Sequence, residues 1–144
     1  MSLDGHYDDA NVFAKILRNE IPSVRIHEDD DVLVFMDAFP QAEGHLLVIS
    51  KKSHARNMLE IEPEVLQQLI LAVQRAAKAV RTVLKPDGVF VGQFNGRAAG
   101  QTVDHIHFHV IPRWEGQALK GHGQGGPADA GELKAIAQKI AAAY

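Results

Sequence analysis

The chain has 144 residues, of which 46% are hydrophobic and 23% are charged, and its net charge is −3 at neutral pH. These values are typical of one soluble globular domain, and no run of 18 or more apolar residues indicates a membrane span. The first nine residues contain no apolar run that could serve as a signal peptide. We therefore expect a cytoplasmic protein with no membrane partner. Because the sequence has no cysteine, disulfides, thiolate zinc sites and a cysteine nucleophile are excluded.

Charge is distributed unevenly along the chain. Residues 1–40 hold nine acidic and three basic side chains, whereas residues 41–144 hold nine acidic and twelve basic ones. Neither part contains the dense basic stripe of a nucleic-acid-binding protein, so no nucleic-acid partner is expected. Histidine is unusually frequent, with eight residues.

The first third of the chain predicts a short helix and three strands. Apolar residues at positions 12, 13, 16 and 17 share one helical face, and Asn11 before them is a suitable N-cap. Three apolar runs with turn residues between them follow, a pattern that favours an antiparallel meander. The predicted strands cover residues 24–28, 32–37 and 45–50.

The middle of the chain predicts one long helix. Apolar residues recur every three or four positions from Pro63 to Leu84, Pro63 suits the first helical turn, and the turn residues 86–88 end the helix. Further strands are predicted at residues 89–94 and 104–111, the second ended by Pro112.

The last 30 residues predict a loop and a terminal helix. Residues 116–131 contain six glycines and one proline, which favours a mobile loop, and residues 132–142 regain helix-forming composition. The expected fold class is α+β, with a five-stranded, mainly antiparallel sheet, one long helix and a short helix near each terminus. We expect a single domain over residues 1–144, with its core at about 11–113.

Three histidines alternate with apolar residues in the strand predicted at 104–111. A strand places residues i, i+2 and i+4 on one face, so His105, His107 and His109 should line up about 6.6 Å apart at their Cα atoms. A purely structural role is disfavoured, because three imidazoles on a strand suited to burial leave many polar nitrogens to satisfy. The residues expected to face the core are Ile106, Phe108 and Val110.

The alternation leaves two chemical interpretations open. Imidazoles at alternate strand positions can bind zinc, although three of them spread over about 13 Å are too far apart to reach one ion through bonds of ~2.1 Å. Alternatively, one neutral imidazole attacks phosphorus while its neighbours orient it and stabilise charge. The second interpretation fits the spacing better.

Residues 105–111 match the pattern His-φ-His-φ-His-φ-φ, where φ is apolar, and thereby resemble the histidine triad (HIT) family of nucleotide hydrolases and transferases. The resemblance covers about residues 11–113. It is supported, in order along the chain, by residues 13–16 with Pro22, 28–30, 35–37, 40–49, and Asn95 with 99–103.

The resemblance implies a role for each histidine of the site. His107 would be the nucleophile that becomes nucleotidylated. His105, paired with His45 from the strand after Gly44, would orient it. His109 would contact the α-phosphate.

The resemblance also implies a nucleotide site. Asp37 would hold the ribose hydroxyls, because a carboxylate can accept two hydrogen bonds from a vicinal diol, although a plain turn cap is an equal alternative from spacing alone. The base would enter a slot whose four residues are equally well explained as ordinary core. The slot residues are Phe13, Ile16, Phe35 and Ala38, and the residues near the phosphate or leaving group are Asn95, Gln101 and Thr102.

The implied activity is a two-step hydrolysis at the α-phosphate of a purine nucleotide conjugate, which releases a nucleoside monophosphate. The leaving group is an amine or a second nucleotide, and the sequence does not separate these. The histidine chemistry requires no cofactor and no protein-bound metal, although a divalent cation could arrive with the substrate. A homodimer is expected. A nucleotide-binding regulatory module with little turnover, or a histidine-ligated metal site, remains an alternative.

Overall fold

The computed structural model describes residues 3–121 and 123–144, so His122 of the glycine-rich segment lies outside the described residues. The helices are α1 (Val12–Leu17), α2 (Pro63–Leu84) and α3 (Ala130–Ala143), with one 3₁₀ turn at Arg97–Ala99. The strands are β1 (Arg25–Glu28), β2 (Val32–Met36), β3 (Leu46–Ser50), β4 (Gly88–Gly92) and β5 (His107–Arg113).

The five strands form one antiparallel sheet in the order β1-β2-β3-β5-β4. The registers Val34↔Val48 and Val48↔Phe108 align side chains of the three inner strands on one face. Because successive strand residues point to opposite faces, His107 and His109 project from the other face. The expected α+β class and antiparallel sheet are confirmed.

The two faces of the sheet are covered by different helices. The first face packs against α2 and α3 in the larger hydrophobic cluster, which contains Leu69 and Val73 of α2 and Ile140 of α3. The opposite face carries a smaller cluster in which Phe13 and Ile16 of α1 pack against the sheet. As predicted, Ile106, Phe108 and Val110 belong to the larger cluster.

The expected bounds of the last strand are wrong at both ends. β5 begins at His107, so His105 lies in the bend before it, and β5 continues through Pro112 to Arg113. The strand can include Pro112 because β3 begins opposite Val110, and beyond that point β5 pairs only with β4. Proline is tolerated where one side of a strand has no neighbour.

The helix ends follow the predicted signals. Asn11 Oδ1 accepts a hydrogen bond from Ala14 N–H at 2.9 Å and caps α1, but Val12 of the expected buried face is exposed. The long helix has the expected bounds, and Lys85 ends it in the left-handed conformation (φ 50°). Helix α3 is three residues longer than expected.

The glycine-rich segment before α3 is attached to the loop that follows β2. Ala128 N–H donates to the Ala38 carbonyl at 2.9 Å, and Lys120 N–H donates to the Gln41 carbonyl at 3.2 Å. These bonds position the start of α3 beside the end of β2. The mobility of the segment stays a prediction. In the described part of the chain, no helix is long and apolar enough to span a membrane.

Candidate active site

A cavity of about 600 Å³ opens on the sheet face that carries α1, and we refer to it as the main cavity. It brings together eight of the twelve predicted site residues. In the described part of the chain, the other four do not line it. The eight are Phe13, Ile16, Phe35, Asp37, Ala38, Thr102, His107 and His109, and the other four are His45, Asn95, Gln101 and His105.

His107 is held in one tautomer by the backbone. Its Nδ1 lies 2.7 Å from the His105 carbonyl oxygen, and a carbonyl can only accept, so Nδ1 carries the proton. A neutral ring with Nδ1–H has its lone pair on Nε2. The edge-to-face contact with Phe13, with ring centroids 4.8 Å apart, also restrains the ring. Nε2 of His107 is therefore the nitrogen suited to nucleophilic attack.

His105 is not among the described residues that line the main cavity, and it contacts His107 through its backbone carbonyl. Its Nε2–H donates to the Ser50 carbonyl at 2.9 Å, and its Nδ1 lies 2.6 Å from the Tyr7 hydroxyl oxygen. Burial lowers the pKa of His105 from 6.5 to about 4, so the ring is neutral at pH 7. His105 thus orients His107 through its carbonyl oxygen rather than by presenting its ring to the cavity.

The expected pairing of His45 with His105 is wrong, because His45 pairs with His109. His45 Nε2 lies 2.9 Å from His109 Nδ1. The cause is the antiparallel register, in which Leu47 is opposite His109 and Ile49 is opposite His107. His45, just before β3, therefore comes close to the later part of β5, whereas His105 comes close to the end of β3.

The His45–His109 contact has a defined direction. Gln41 N–H donates to His45 Nδ1 at 3.0 Å, which leaves the His45 proton on Nε2. His45 Nε2–H then donates to His109 Nδ1, so a neutral His109 carries its own proton on Nε2. A lone pair on His107 and a donor on His109 are thus adjacent in the main cavity, with ring centroids 5.1 Å apart.

Asp37 follows β2 and is buried at the main cavity. Its Oδ1 accepts a hydrogen bond from Phe39 N–H at 2.8 Å, and its Oδ2 lies 3.4 Å from His45 Nε2. One carboxylate oxygen therefore caps the turn, which is the role that the turn-cap alternative predicted for Asp37. The same side chain lines the cavity, so the expected contact with a ribose stays a prediction.

The three residues expected near the phosphate lie in different places. Thr102 lines the main cavity. Gln101 is buried in the loop before β5, where its amide donates to the carbonyls of Arg56 and Val103 and accepts from Gly96 N–H. Asn95 Oδ1 accepts from Met58 N–H and from Gln93 Nε2 at 2.9 Å each. Gln101 and Asn95 therefore stabilise the loops beside the site.

One group of side chains has the composition of a metal site. Ligand atoms of Asp37, His45 and His109 all lie within 4.8 Å of one another, and the three residues are buried. To bind a metal, His45 would use Nε2 or Nδ1 as a lone-pair donor. Nδ1 already accepts from Gln41 N–H, and Nε2 carries the proton. A metal would therefore have to displace the proton that connects His45 to His109.

Sequence reasoning missed the contribution of the C-terminal region to this site. The start of helix α3 and the residues before it line part of the main cavity. The composition of residues 132–142 predicted a helix, but nothing in its pattern indicated where the helix would pack. Tyr7 was also missed. The C-terminal residues that line the cavity are Pro127, Ala128, Ala130, Leu133 and Lys134.

Comparisons with known proteins agree with this fold. A family model described as the HIT domain matches residues 18–116. The crystal structure of a HIT-like protein from Bartonella henselae has a TM-score of 0.91 to this chain at 51% sequence identity, covering 97% of this chain and 100% of that one.

Two yeast proteins are also similar to this chain. The adenosine 5'-monophosphoramidase of Schizosaccharomyces pombe is 37% identical over 130 residues, 90% of this chain and 94% of the relative. The adenosine 5'-monophosphoramidase of Saccharomyces cerevisiae is 41% identical over 113 residues, 78% of this chain and 68% of the relative. The family match, the fold and the paired histidines lead to one conclusion: the chain belongs to the HIT, or histidine triad, family.

Proposed function

We propose that this protein is a nucleotide hydrolase. It breaks the bond between the α-phosphorus and the leaving group of a nucleoside phosphoramidate or a dinucleoside polyphosphate, and it releases a nucleoside monophosphate. The observation that carries the proposal is the hydrogen bond from His107 Nδ1–H to the His105 carbonyl. In a neutral ring this bond puts the lone pair on Nε2 of a cavity-lining imidazole, and Nε2 is the proposed nucleophilic atom. The two yeast relatives named adenosine 5'-monophosphoramidase support an amine leaving group.

The proposed reaction has two steps. In the first, His107 Nε2 attacks the α-phosphorus, an N–P bond forms, and the bond from phosphorus to the leaving group breaks. We propose that His109 Nε2–H donates a hydrogen bond to a phosphoryl oxygen or to the leaving group, which departs with the electron pair of the broken bond and, if it is an amine, takes up a proton. In the second step, water attacks the phosphorus, the N–P bond breaks with its electron pair returning to His107 Nε2, and the monophosphate is released with loss of a proton from the water. Both steps proceed without a protein-bound metal.

The main cavity has a size and a lining that suit a nucleotide. Its volume of about 600 Å³ falls in the range of small-molecule sites, and its walls are mostly apolar. Phe13, Ile16 and Phe35 are the proposed contacts of a purine base, and Asp37 is the proposed partner of the ribose hydroxyls. The base therefore lies toward α1, with the phosphate toward His107 and His109.

We also propose that the protein forms a homodimer. Strand β4 is at one edge of the sheet, and its side chains Phe90 and Val91 are exposed. Helix α2 exposes Ile70 and Leu71 as well. An unpaired strand edge with apolar side chains favours association with a second copy. Sedimentation at micromolar concentration should give twice the monomer mass, and a monomer at that concentration would refute the dimer.

The activity is tested by comparing an adenosine 5'-phosphoramidate with diadenosine polyphosphates under the same conditions. We expect turnover that yields AMP, with the phosphoramidate as the preferred substrate. Rapid quenching should trap a burst of nucleotide covalently bound to the protein, because the nucleotidyl-histidine forms before hydrolysis. Binding of AMP with neither burst nor turnover would favour the regulatory module. A requirement of the unmodified protein for a tightly bound zinc ion would favour the metal alternative.

A further inference from the structure

The N-terminal segment before α1 contacts the histidine site through His105. Tyr7 lies in this segment, outside residues 18–116 that match the family model. Its ring stacks on the ring of His54, with centroids 4.7 Å apart and planes 6° apart. The stacking brings the Tyr7 hydroxyl oxygen to 2.6 Å from His105 Nδ1. A residue far from the triad in sequence therefore contacts its first histidine.

The direction of this hydrogen bond follows from the other side of the His105 ring. Nε2 lies 2.9 Å from the Ser50 carbonyl oxygen, which can only accept, so the single proton of the neutral ring is on Nε2. Nδ1 therefore has a lone pair, and the Tyr7 O–H donates to it. Burial lowers the pKa of His105 to about 4 and raises the pKa of Tyr7, so both groups keep these protonation states at pH 7.

The His105 peptide connects this hydrogen bond to the nucleophile. The carbonyl of His105 accepts from His107 Nδ1–H at 2.7 Å. The N–H of the same peptide belongs to Ile106 and donates to the Ala55 carbonyl at 3.0 Å. The position of the carbonyl therefore depends on how firmly the His105 ring and its peptide are held. The ring is fixed at both nitrogens only while Tyr7 donates to Nδ1.

We propose that Tyr7 is a positioning residue of the histidine site, which orients the His105 peptide and thereby holds His107 in the tautomer with its lone pair on Nε2. This inference rests on the proposed role of His107 as the nucleophile. Without the Tyr7 hydroxyl, a buried Nδ1 loses its donor, and the ring moves to restore a hydrogen bond. The His105 carbonyl then moves with it, and the Nδ1–H tautomer of His107 is less strongly favoured.

The test uses Tyr7→Phe, which removes one oxygen and keeps the ring stacked on His54. The matched control is Tyr144→Phe, because Tyr144 stacks on His27 with centroids 4.4 Å apart, away from the main cavity. We expect Tyr7→Phe to lower kcat by about three- to tenfold while KM changes by less than about twofold, since the loss acts on the orientation of the nucleophile. The control should leave both constants unchanged.

Nitrogen-detected NMR of the histidine rings provides a second readout that does not require turnover. In the unmodified protein we expect His105 to be protonated on Nε2 and His107 on Nδ1. In Tyr7→Phe the His107 signals should shift toward a mixture of tautomers, whereas in Tyr144→Phe they should not. An unchanged kcat, unchanged His107 signals in Tyr7→Phe, or a proton on His105 Nδ1 in the unmodified protein would each overturn the inference. Absence of turnover in the unmodified protein would instead refute the proposed function.

Discussion

The two faces of the sheet differ in how completely helices cover them. The 22-residue α2 and the 14-residue α3 close one face over the larger hydrophobic cluster. The six-residue α1 covers only part of the other face, and the main cavity opens beside it. The covered face has few polar groups to satisfy, whereas the open face holds His107, His109 and Asp37.

This difference separates stability from chemistry within single strands. In β5, Phe108 and Val110 belong to the larger cluster while His107 and His109 line the main cavity. Changes on the covered face should lower the free energy of unfolding and leave the chemistry of the folded molecules intact. Changes on the open face should impair the chemistry and leave the free energy of unfolding nearly unchanged. The following four predictions test this separation.

The largest effect is expected for His107→Asn. Removing the nucleophile removes the covalent route, so kcat should fall by about three orders of magnitude or more. Affinity for AMP should stay within roughly tenfold, about 1.4 kcal/mol, because the other walls of the cavity are unchanged. The control is His27→Asn in β1, which should keep full activity. Substantial turnover in His107→Asn would show that another group attacks the phosphorus.

A core substitution tests the covered face. Leu69 of α2 is 0% exposed, so Leu69→Ala should lower the free energy of unfolding by about 2–5 kcal/mol. The kcat per folded molecule should not change. Leu59, which is 69% exposed, provides the matched control, and Leu59→Ala should change stability by less than about 0.5 kcal/mol. Denaturant unfolding measures the stability of both variants, and activity assays on the same samples measure their kcat. A lower kcat in folded Leu69→Ala would mean that the two faces are coupled.

The buried His105 predicts a pH dependence of stability. Its pKa is about 4 in the folded protein and 6.5 in the unfolded chain, so the unfolded chain binds more protons between these values. The contribution of His105 to stability is therefore complete above pH 6.5 and is lost as the pH falls toward 4, by about 3 kcal/mol.

This contribution is measured by denaturant unfolding at several pH values. The proteins compared are the unmodified protein, His105→Gln and His6→Gln. His6 is exposed and serves as the control. The stability of His105→Gln should depend less steeply on pH between 6.5 and 4, whereas His6→Gln should follow the unmodified protein. An equally steep dependence in His105→Gln would assign the effect to other groups.

The smallest effect concerns the ribose contact. Asp37→Ala should weaken AMP binding by about 1–3 kcal/mol, because it removes acceptors for the ribose hydroxyls but few packing atoms. Asp37→Asn keeps an oxygen for the Phe39 N–H, and it therefore separates the turn cap from the charge. Calorimetric titration with AMP measures both. An unchanged dissociation constant in Asp37→Ala would show that the ribose is held elsewhere.

Much of the fold could be predicted because its signals are local. The apolar spacing between Pro63 and Leu84 and the Asn11 cap depend on neighbouring residues, and α2 and α1 lie where these signals placed them. The strand bounds near Pro112 were wrong, because a proline is tolerated or excluded according to the neighbouring strand. That neighbour is defined by the sheet register and not by the local sequence.

The site was predicted in composition but not in all its contacts. The alternation of residues 105–111 placed His107 and His109 together in the cavity, since side-chain direction in a strand follows from its period of two. His45 pairs with His109 instead of His105, because the antiparallel register of β3 and β5 decides which residues meet. The stacking of Tyr7 on His54 has no period or motif that could reveal it.

The sequence by itself determined the helices, the α+β class and that His107 and His109 share one strand face, because propensity, capping and alternation act over a few residues. It did not show that His105 lies outside the cavity lining. Only the tertiary structure decided the histidine tautomers, the Tyr7 contact and the approach of the first residues of α3 to the cavity. These depend on hydrogen bonds and packing between residues far apart in the chain, such as His105 with Ser50 and His45 with His109. Such contacts exist only once the chain has folded.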